Sequence, residues 1–244
     1  MSHKGYKSKR LSPPTKSKNI LSDIRYFLFH KPEISTLIKF NSNAERQNYS
    51  YRILQRLNIG VSKYKILNIH KIGVNAPAKY VFEELLNWNG DSSCWPNYIA
   101  KVGRENNRLE NLSIYLLGWT KSWLKNGLFG FKFIPLFKLD AINLQKNPDP
   151  IEPDNARYLL YECSGGYPIG VFTMYVRSSI ANLQEKEQTQ LFLMVGFNFY
   201  GKEDWSKRKI VNSTWELIHD RVTSNVLNRL KKLSEWRFEK FQNG

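Results

Sequence analysis

The chain has 244 residues, 41% hydrophobic and 14% aromatic, with 7 Trp, 13 Tyr and 14 Phe, which is enough for a sizeable core and excludes wholesale disorder. Lys and Arg number 37 against 21 Asp and Glu, a formal net charge of +16 with a pI near 9.7. Such a surface attracts anionic partners, whether nucleic acid, acidic membrane or acidic protein, and says nothing about fold.

Residues 1–22, MSHKGYKSKRLSPPTKSKNILS, carry Lys4, Lys7, Lys9, Arg10, Lys16 and Lys18 and no acid. They read as a disordered basic tail, suited to phosphates of nucleic acid or to anionic lipid headgroups alike. No apolar stretch follows the tail as in a secretory signal, and residue 2 is Ser rather than the Gly that myristoylation requires. No run approaches the ~18 apolar residues of a spanning helix. Cys94 and Cys163 are the only cysteines, so no disulfide framework exists. A soluble, cytoplasmic protein is expected, with organelle targeting by the basic N-terminus left open.

Residues 23–61 predict a helical N-terminal extension of short amphipathic helices, broken near Pro32 and at Asn41–Asn43. The main domain, 62–244, opens with KYKILNIHKIGV (63–74), whose β-branched residues suit a strand. In NAPAKYVFEELLNW, Asn75 is placed to cap a helix and Pro77 to sit in its first turn, with Val81, Phe82, Leu85, Leu86 and Trp88 at helical spacing. After the NGD break, CWPNYIAKV suggests a second short helix with Pro96 near its start.

From residue 111 the period becomes two. NLSIYLLGWTKSW, GFKFIPLFKLDAINL, ARYLLYECSGG, VFTMYVRSSIANLQ and EQTQLFLMVGFNFYG are five strand-like runs parted by short turns, the pattern of an antiparallel meander. From about Ser213 to Phe241 the period returns to that of a helix. Trp215, Ile218, Val222, Val226, Leu230, Leu233 and Phe241 make an apolar stripe with no Gly or Pro between them, about 42 Å long at 1.5 Å per residue.

The order of strand, two helices, curved antiparallel sheet and long final helix resembles the START-like (SRPBCC) superfamily, which includes the birch-pollen allergen family, polyketide cyclases and coenzyme Q-binding proteins. The segments that carry the likeness are IHKIGVNAPAKYVFEELLNW, WPNYIAKV and NVLNRLKKLSE, and it spans about residues 62–241. The N-terminal extension and the aromatic, lysine-rich stretch near 119–140 depart from that pattern. The resemblance implies an α+β helix-grip fold, a curved antiparallel sheet wrapped around a long C-terminal helix, with a groove between them for an apolar ligand. A bent sheet cannot close fully on a straight helix, so the gap is either filled by large side chains or left as a cavity. Trp119, Phe131, Phe133, Met174, Phe192, Met194, Phe197 and Trp215 could serve either arrangement.

Chemistry-bearing residues are sparse. His3, His30, His70 and His219 lie in four separate predicted elements, with no His-x-x-His or HExxH, so no metal site is expected, nor the iron centre of the superfamily's oxygenase branch. SGGYPIG lacks dinucleotide-site spacing, DPIEPD matches no calcium loop, and no cofactor is expected. Cys94 reads as a small buried hydrophobe, since no catalytic signature surrounds it. His219, one turn after Trp215 at the stripe's edge, is the candidate catalytic or ligand-binding imidazole, although a satisfied, partly buried histidine is the plainer reading.

The expected function is therefore binding or transport of an apolar small molecule (a lipid, isoprenoid or polyketide). Trp95 and Tyr98 would lie at the mouth of the groove, with Trp119, Met174, Phe197, Trp215 and His219 within it. Two alternatives accompany it. One is a cyclase- or dehydratase-like enzyme pairing His219 with Tyr115 or Tyr175. The other is a filled scaffold that binds nucleic acid or a large assembly through its tail.

Overall fold

The computed structural model describes residues 21–22, 25, 29–54, 66–86, 100–104, 111–119, 131–144, 156–166, 169–178, 189–197 and 208–243. The sheet strands are β1 (Ile66–Val74), β2 (Ala100–Arg104), β3 (Asn111–Trp119), β4 (Phe131–Leu144), β5 (Ala156–Gly166), β6 (Ile169–Ser178) and β7 (Thr189–Phe197). The helices described along their whole length are α1 (Asn43–Leu54), α2 (Ala78–Leu86) and α3 (Lys209–Gln242), and Leu21, Ser22, Arg25 and Phe29 are also helical. All seven strands form one sheet in the order β1-β7-β6-β5-β4-β3-β2. Every neighbouring pair is antiparallel, so the period-two runs after residue 111 form a meander and β1 closes onto β7.

Register shifts at Ile114/Tyr115, Lys138/Leu139, Ala141/Asn143 and Ile169/Val171 bend the strands locally. The long helix α3 lies against β1 and α2. This is the α+β architecture of a helix-grip domain, an antiparallel sheet with one long C-terminal helix.

The core forms on one sheet face. Ile72 and Val74 of β1, Leu191, Leu193 and Val195 of β7, and Phe172, Met174 and Val176 of β6 meet Val81, Phe82 and Leu85 of α2 and Val226, Leu227, Leu230 and Leu233 of α3. The turn between β1 and α2 is bracketed by α3. Lys231 donates to the Gly73 carbonyl at 2.7 Å, and Glu235 accepts from the Asn75 backbone N–H at 2.8 Å. The helix begins at Ala78, so Pro77 immediately precedes it and Asn75, expected as its cap, lies two residues further back.

On β1, β6 and β7 the opposite sheet face is also buried. Leu67, Ile69, Val171, Thr173, Tyr175, Phe192 and Met194 alternate with the core residues yet are excluded from water. The N-terminal extension contributes to this cover. Ser42 caps α1 by accepting from the Glu45 N–H at 3.1 Å, and the Glu45 carboxylate accepts from the Asn41 N–H at 2.8 Å. Tyr49 of α1 packs on Phe40 with ring centroids 5.3 Å apart. Its phenol pKa is raised by burial, with Arg177 at the end of the outer-facing row of β6 near enough to oppose that shift.

Two expectations change. The residues read as the end of a second short helix, Ala100–Val102, belong to β2, which pairs with Leu112–Leu116; the remainder of that run lies outside the described residues. Residues 34–38, expected within a helical extension, instead lie against the free edge of β1, with Leu37 bridged antiparallel to His70. The Ile38 N–H donates to the Ile69 carbonyl at 2.9 Å and the Lys71 N–H to the Thr36 carbonyl at 2.8 Å. An edge strand's unpaired groups favour such an addition.

Candidate functional site

The strap at residues 30–38 is fastened to α3 as well as to β1. Asn228 donates to the Ile34 carbonyl at 2.8 Å, Asn225 to the His30 carbonyl at 3.3 Å, and Lys232 pairs with Glu33 at 2.5 Å. Asp220, Ser224 and Asn228 recur every fourth residue, so one polar stripe of α3 faces the strap beside its apolar stripe.

At the centre of this seam lies a buried polar chain. His70 Nδ1 is 3.0 Å from Thr36 Oγ1, which is 2.8 Å from Ser224 Oγ; that oxygen donates to Asp220 Oδ1 at 2.8 Å. Ser224 Oγ also accepts the Thr36 backbone N–H at 3.0 Å, and Ser35 donates to Asp220 at 3.4 Å. The direction of every bond follows from Asp220. A carboxylate only accepts, so the single Ser224 hydroxyl proton points to it. Ser224 Oγ therefore accepts from Thr36 Oγ1, and Thr36 in turn accepts from His70 Nδ1–H. The neutral imidazole is thus the Nδ1–H tautomer, and Nε2 carries the lone pair. That Nε2 is buried and makes no hydrogen bond among the described residues.

His70 is close enough to His219 of α3 for the two imidazoles to interact electrostatically. Burial lowers the pKa of His70 to about 3, with His219 adding to the shift, and burial lowers that of His219 to about 4. Both rings are neutral at physiological pH, which suits hydrogen bonding to an uncharged group rather than ion pairing.

Beside this chain a cleft of about 660 Å³ opens between β1, the first half of α3 and the extension. Leu37, Phe40, Leu67, Ile69 and Leu217 line it together with the polar Lys39, Arg46, Asn68, Glu216 and Asp220. Its volume falls within the ~300–1,000 Å³ of small-molecule sites. Among the described residues no group of three or more His, Cys, Asp or Glu side chains could hold a metal ion. No helix among them is long and apolar enough to cross a membrane.

The sequence-derived candidates are dispersed. His219 stands on α3, next to Asp220 of the polar chain. Met174 is fully buried in the core cluster. Trp119 ends β3 opposite Phe131, Phe197 ends β7 opposite Ile66 and Ile169, and Trp215 lies in the second turn of α3. Trp95, Tyr98 and Cys94, like the basic tail, lie outside the described residues.

The tyrosines suggested as acid–base partners of His219 are on the wrong side of the sheet. Tyr175 shares the outer face with Phe192, ring centroids 5.9 Å apart. Tyr115 neighbours the core-packed Ile114 and so faces outward, against Gly103, where a Cβ would come within 2.9 Å of its ring. The residues that build the seam, Thr36, Asn68, His70, Asp220 and Ser224, were not singled out from the sequence. Polar residues at i, i+4 and i+8 alongside an apolar helical stripe were the available signal.

The fold and seam define a helix-grip domain with a small-molecule-sized cleft where the sheet edge meets the C-terminal helix. No family model matches the chain, and no curated protein matches it. Among solved structures, an aromatase/cyclase from Streptomyces sp. R1128 is 19% identical, with a TM-score of 0.43, covering 70% of this chain and 94% of its own. A di-domain aromatase/cyclase from the BE-7585A biosynthetic pathway is 10% identical, with a TM-score of 0.39, covering 79% of this chain and 59% of its own. A polyketide-cyclase-like protein from Corynebacterium glutamicum is 10% identical, with a TM-score of 0.33, covering 72% of this chain and 91% of its own. At these identities and TM-scores the likeness adds nothing to what the strand order and the long helix already establish.

Proposed function

We propose that the chain binds or carries an apolar small molecule at the seam between the sheet and the first half of α3. The observation that supports this is the cleft bounded by β1 and α3, whose lining mixes apolar side chains with polar ones, with two neutral imidazoles on the strand and the helix that bound it. Residues 62–244 form the binding domain in this reading, and residues 23–61 supply the strap and α1. His219 is its polar contact, and Trp95, Tyr98, Trp119, Phe197 and Trp215 are candidate lining residues. A lipid, isoprenoid or polyketide-like compound that carries a polar group suits a lining in which Leu37, Phe40, Leu67, Ile69 and Leu217 stand among Lys39, Arg46, Asn68, Glu216 and Asp220. The cyclase-like alternative has no support from Tyr115 or Tyr175, which occupy the other face.

Mass spectrometry of the gently purified full chain under non-denaturing conditions should detect a co-purifying apolar compound. A Leu217→Arg variant, altering a half-exposed wall residue, should purify without it. Ligand-free wild-type protein that also takes up no apolar compound would count against the reading.

The basic tail holds this carrier near an anionic surface in the same proposal, through Lys4, Lys7, Lys9, Arg10, Lys16 and Lys18. Sedimentation with phosphatidylserine vesicles should weaken as salt rises and disappear when residues 1–22 are deleted. Vesicle binding indifferent to both changes would remove the tail from the proposal, and association with nucleic acid alone would favour the scaffold alternative.

A further inference from the structure

We infer that the cleft takes long-chain N-acyl amino acids, which add to the open edge of β1 as a single further residue of strand. The inference rests on the proposed apolar-ligand site and names the class of molecule it takes: an apolar chain joined through an amide to an amino acid with a free carboxylate.

The parity of β1 comes first. Its Ile69 carbonyl accepts from Ile38 and its Lys71 N–H donates to Thr36, so the odd-numbered residues of β1 direct their backbone groups toward the strap. The even-numbered residues direct theirs toward β7. Leu67 is the next odd residue along the strand, and the register that sets Leu37 opposite His70 would set Phe40 opposite Leu67. No backbone hydrogen bond joins those two residues. The strap leaves the edge there because α1 is about to begin. Ser42 accepts the Glu45 N–H and Asn41 donates to the Glu45 carboxylate, which commits residues 41–43 to a helix start.

Strand and strap therefore part after Ile38, and the cleft lies in the opening. Leu37, Ile38, Lys39 and Phe40 line it from the strap, and Leu67 and Ile69 line it from the strand. The Leu67 N–H and carbonyl are directed to that side, an unpaired donor and acceptor on a sheet edge. Opposite such a residue, an antiparallel partner exchanges both bonds through the N–H and C=O that flank one Cα. An N-acyl amino acid has the same arrangement. Its amide N–H would donate to the Leu67 carbonyl, and a carboxylate oxygen would accept the Leu67 N–H.

The lining accommodates the remaining parts. Lys39 and Arg46 of the extension supply positive charge for the carboxylate. The acids of the lining, Glu216 and Asp220, belong to α3, and Asp220 already accepts from Ser224 and Ser35. Leu37, Phe40 and Leu217 offer apolar surface to the acyl chain. A fatty alcohol or an unconjugated fatty acid lacks the amide donor and could satisfy at most part of the edge.

The test titrates N-lauroylglycine and N-lauroylsarcosine into the full chain by calorimetry, below their micellar concentrations. The two differ by one methyl group, which replaces the amide hydrogen. N-lauroylglycine should bind at least about tenfold more tightly, because the methyl removes the donor to Leu67 and leaves its carbonyl unpaired. Saturation with N-lauroylglycine should also slow hydrogen exchange of the Leu67 amide by about tenfold or more, with the Asn68 amide, which faces β7, unchanged.

Equal affinity for the two probes, or an unchanged Leu67 amide, overturns the inference and leaves the apolar site standing. Dodecanol binding where neither probe binds has the same meaning, whereas binding of none of the three sinks both readings. An acetylated peptide ending in the same glycine carboxylate should bind far more weakly than N-lauroylglycine. Equal or tighter binding of that peptide would overturn the acyl-chain assignment and make the edge a site for peptide C-termini.

Discussion

Replacing Arg237 by Leu is expected to destabilise the protein by about 3–5 kcal/mol, the cost of stranding a buried charge. Glu84 of α2 is the charge at stake, its side chain only 3% exposed. Arg237 of α3 donates to Glu84 Oε1 through Nε at 2.7 Å and also through Nη2, while its Nη1 lies 3.5 Å from Glu83. Glu84 Oε2 is buried without a hydrogen-bond partner among the described residues, so no other group is in place to carry the carboxylate when the guanidinium is gone.

The pair also fixes where α2 meets α3, next to Tyr80 on Phe238 at 5.2 Å between ring centroids. Urea unfolding followed by circular dichroism would measure the loss. The double variant Glu84→Leu/Arg237→Leu should recover most of it, because an apolar pair of similar volume needs no desolvation of charge. A single-variant loss below about 1 kcal/mol would mean that the Glu84 carboxylate reaches water.

That ion pair, like the strap, joins residues far apart in the chain, and the same distinction separates what the sequence displayed from what it concealed. Periods are local. The alternation from Leu112 to Phe197 and the stripe through Val226, Leu230 and Leu233 were legible because each side chain's direction depends only on its near neighbours. The same alternation argues against the expected pairing of Tyr175 with the groove, since Met174 beside it is core and successive strand residues face opposite ways.

Pairing is not local. Ala100–Arg104 is too short a run to show a period, and its ladder with Leu112–Leu116 decides its state. Residues 34–38 had a helical reading because nothing in them announces the free edge of β1, or the amides of Asn225 and Asn228 that bind their carbonyls. His70 looked like one scattered histidine of four. Its significance appears only when the strap brings Thr36 to one side of it and α3 brings His219 near. Phe241 shows the converse, a stripe residue that stays largely exposed although its ring lies 5.7 Å from that of Tyr80 of α2.

The seam should also make the protein acid-sensitive in a pH range where carboxylates are still ionised. Free histidine titrates near 6.5, but folding holds His219 to about 4 and His70 to about 3. Between pH 6.5 and about 4 the unfolded chain therefore binds up to two protons that the folded chain refuses. Stability rises with pH wherever the unfolded state holds more protons, so here it falls as pH drops. The slope approaches about 1.4 kcal/mol per pH unit for each histidine, or roughly 2.7 for both.

The share of His219 stops growing near pH 4, and that of His70 near pH 3. Above pH 7 both rings are neutral in either state, and this source of slope vanishes. Proton uptake by His70 would occur at Nε2, since Nδ1 already donates to Thr36; the relay to Asp220 survives, and the penalty is a cation buried beside a second imidazole. Urea midpoints measured from pH 7.5 to 5 should fall steadily in wild type, and with about half the slope in His219→Leu. A flat wild-type profile across that range would show that the imidazoles are hydrated. An unchanged slope in His219→Leu would assign the proton uptake to other groups.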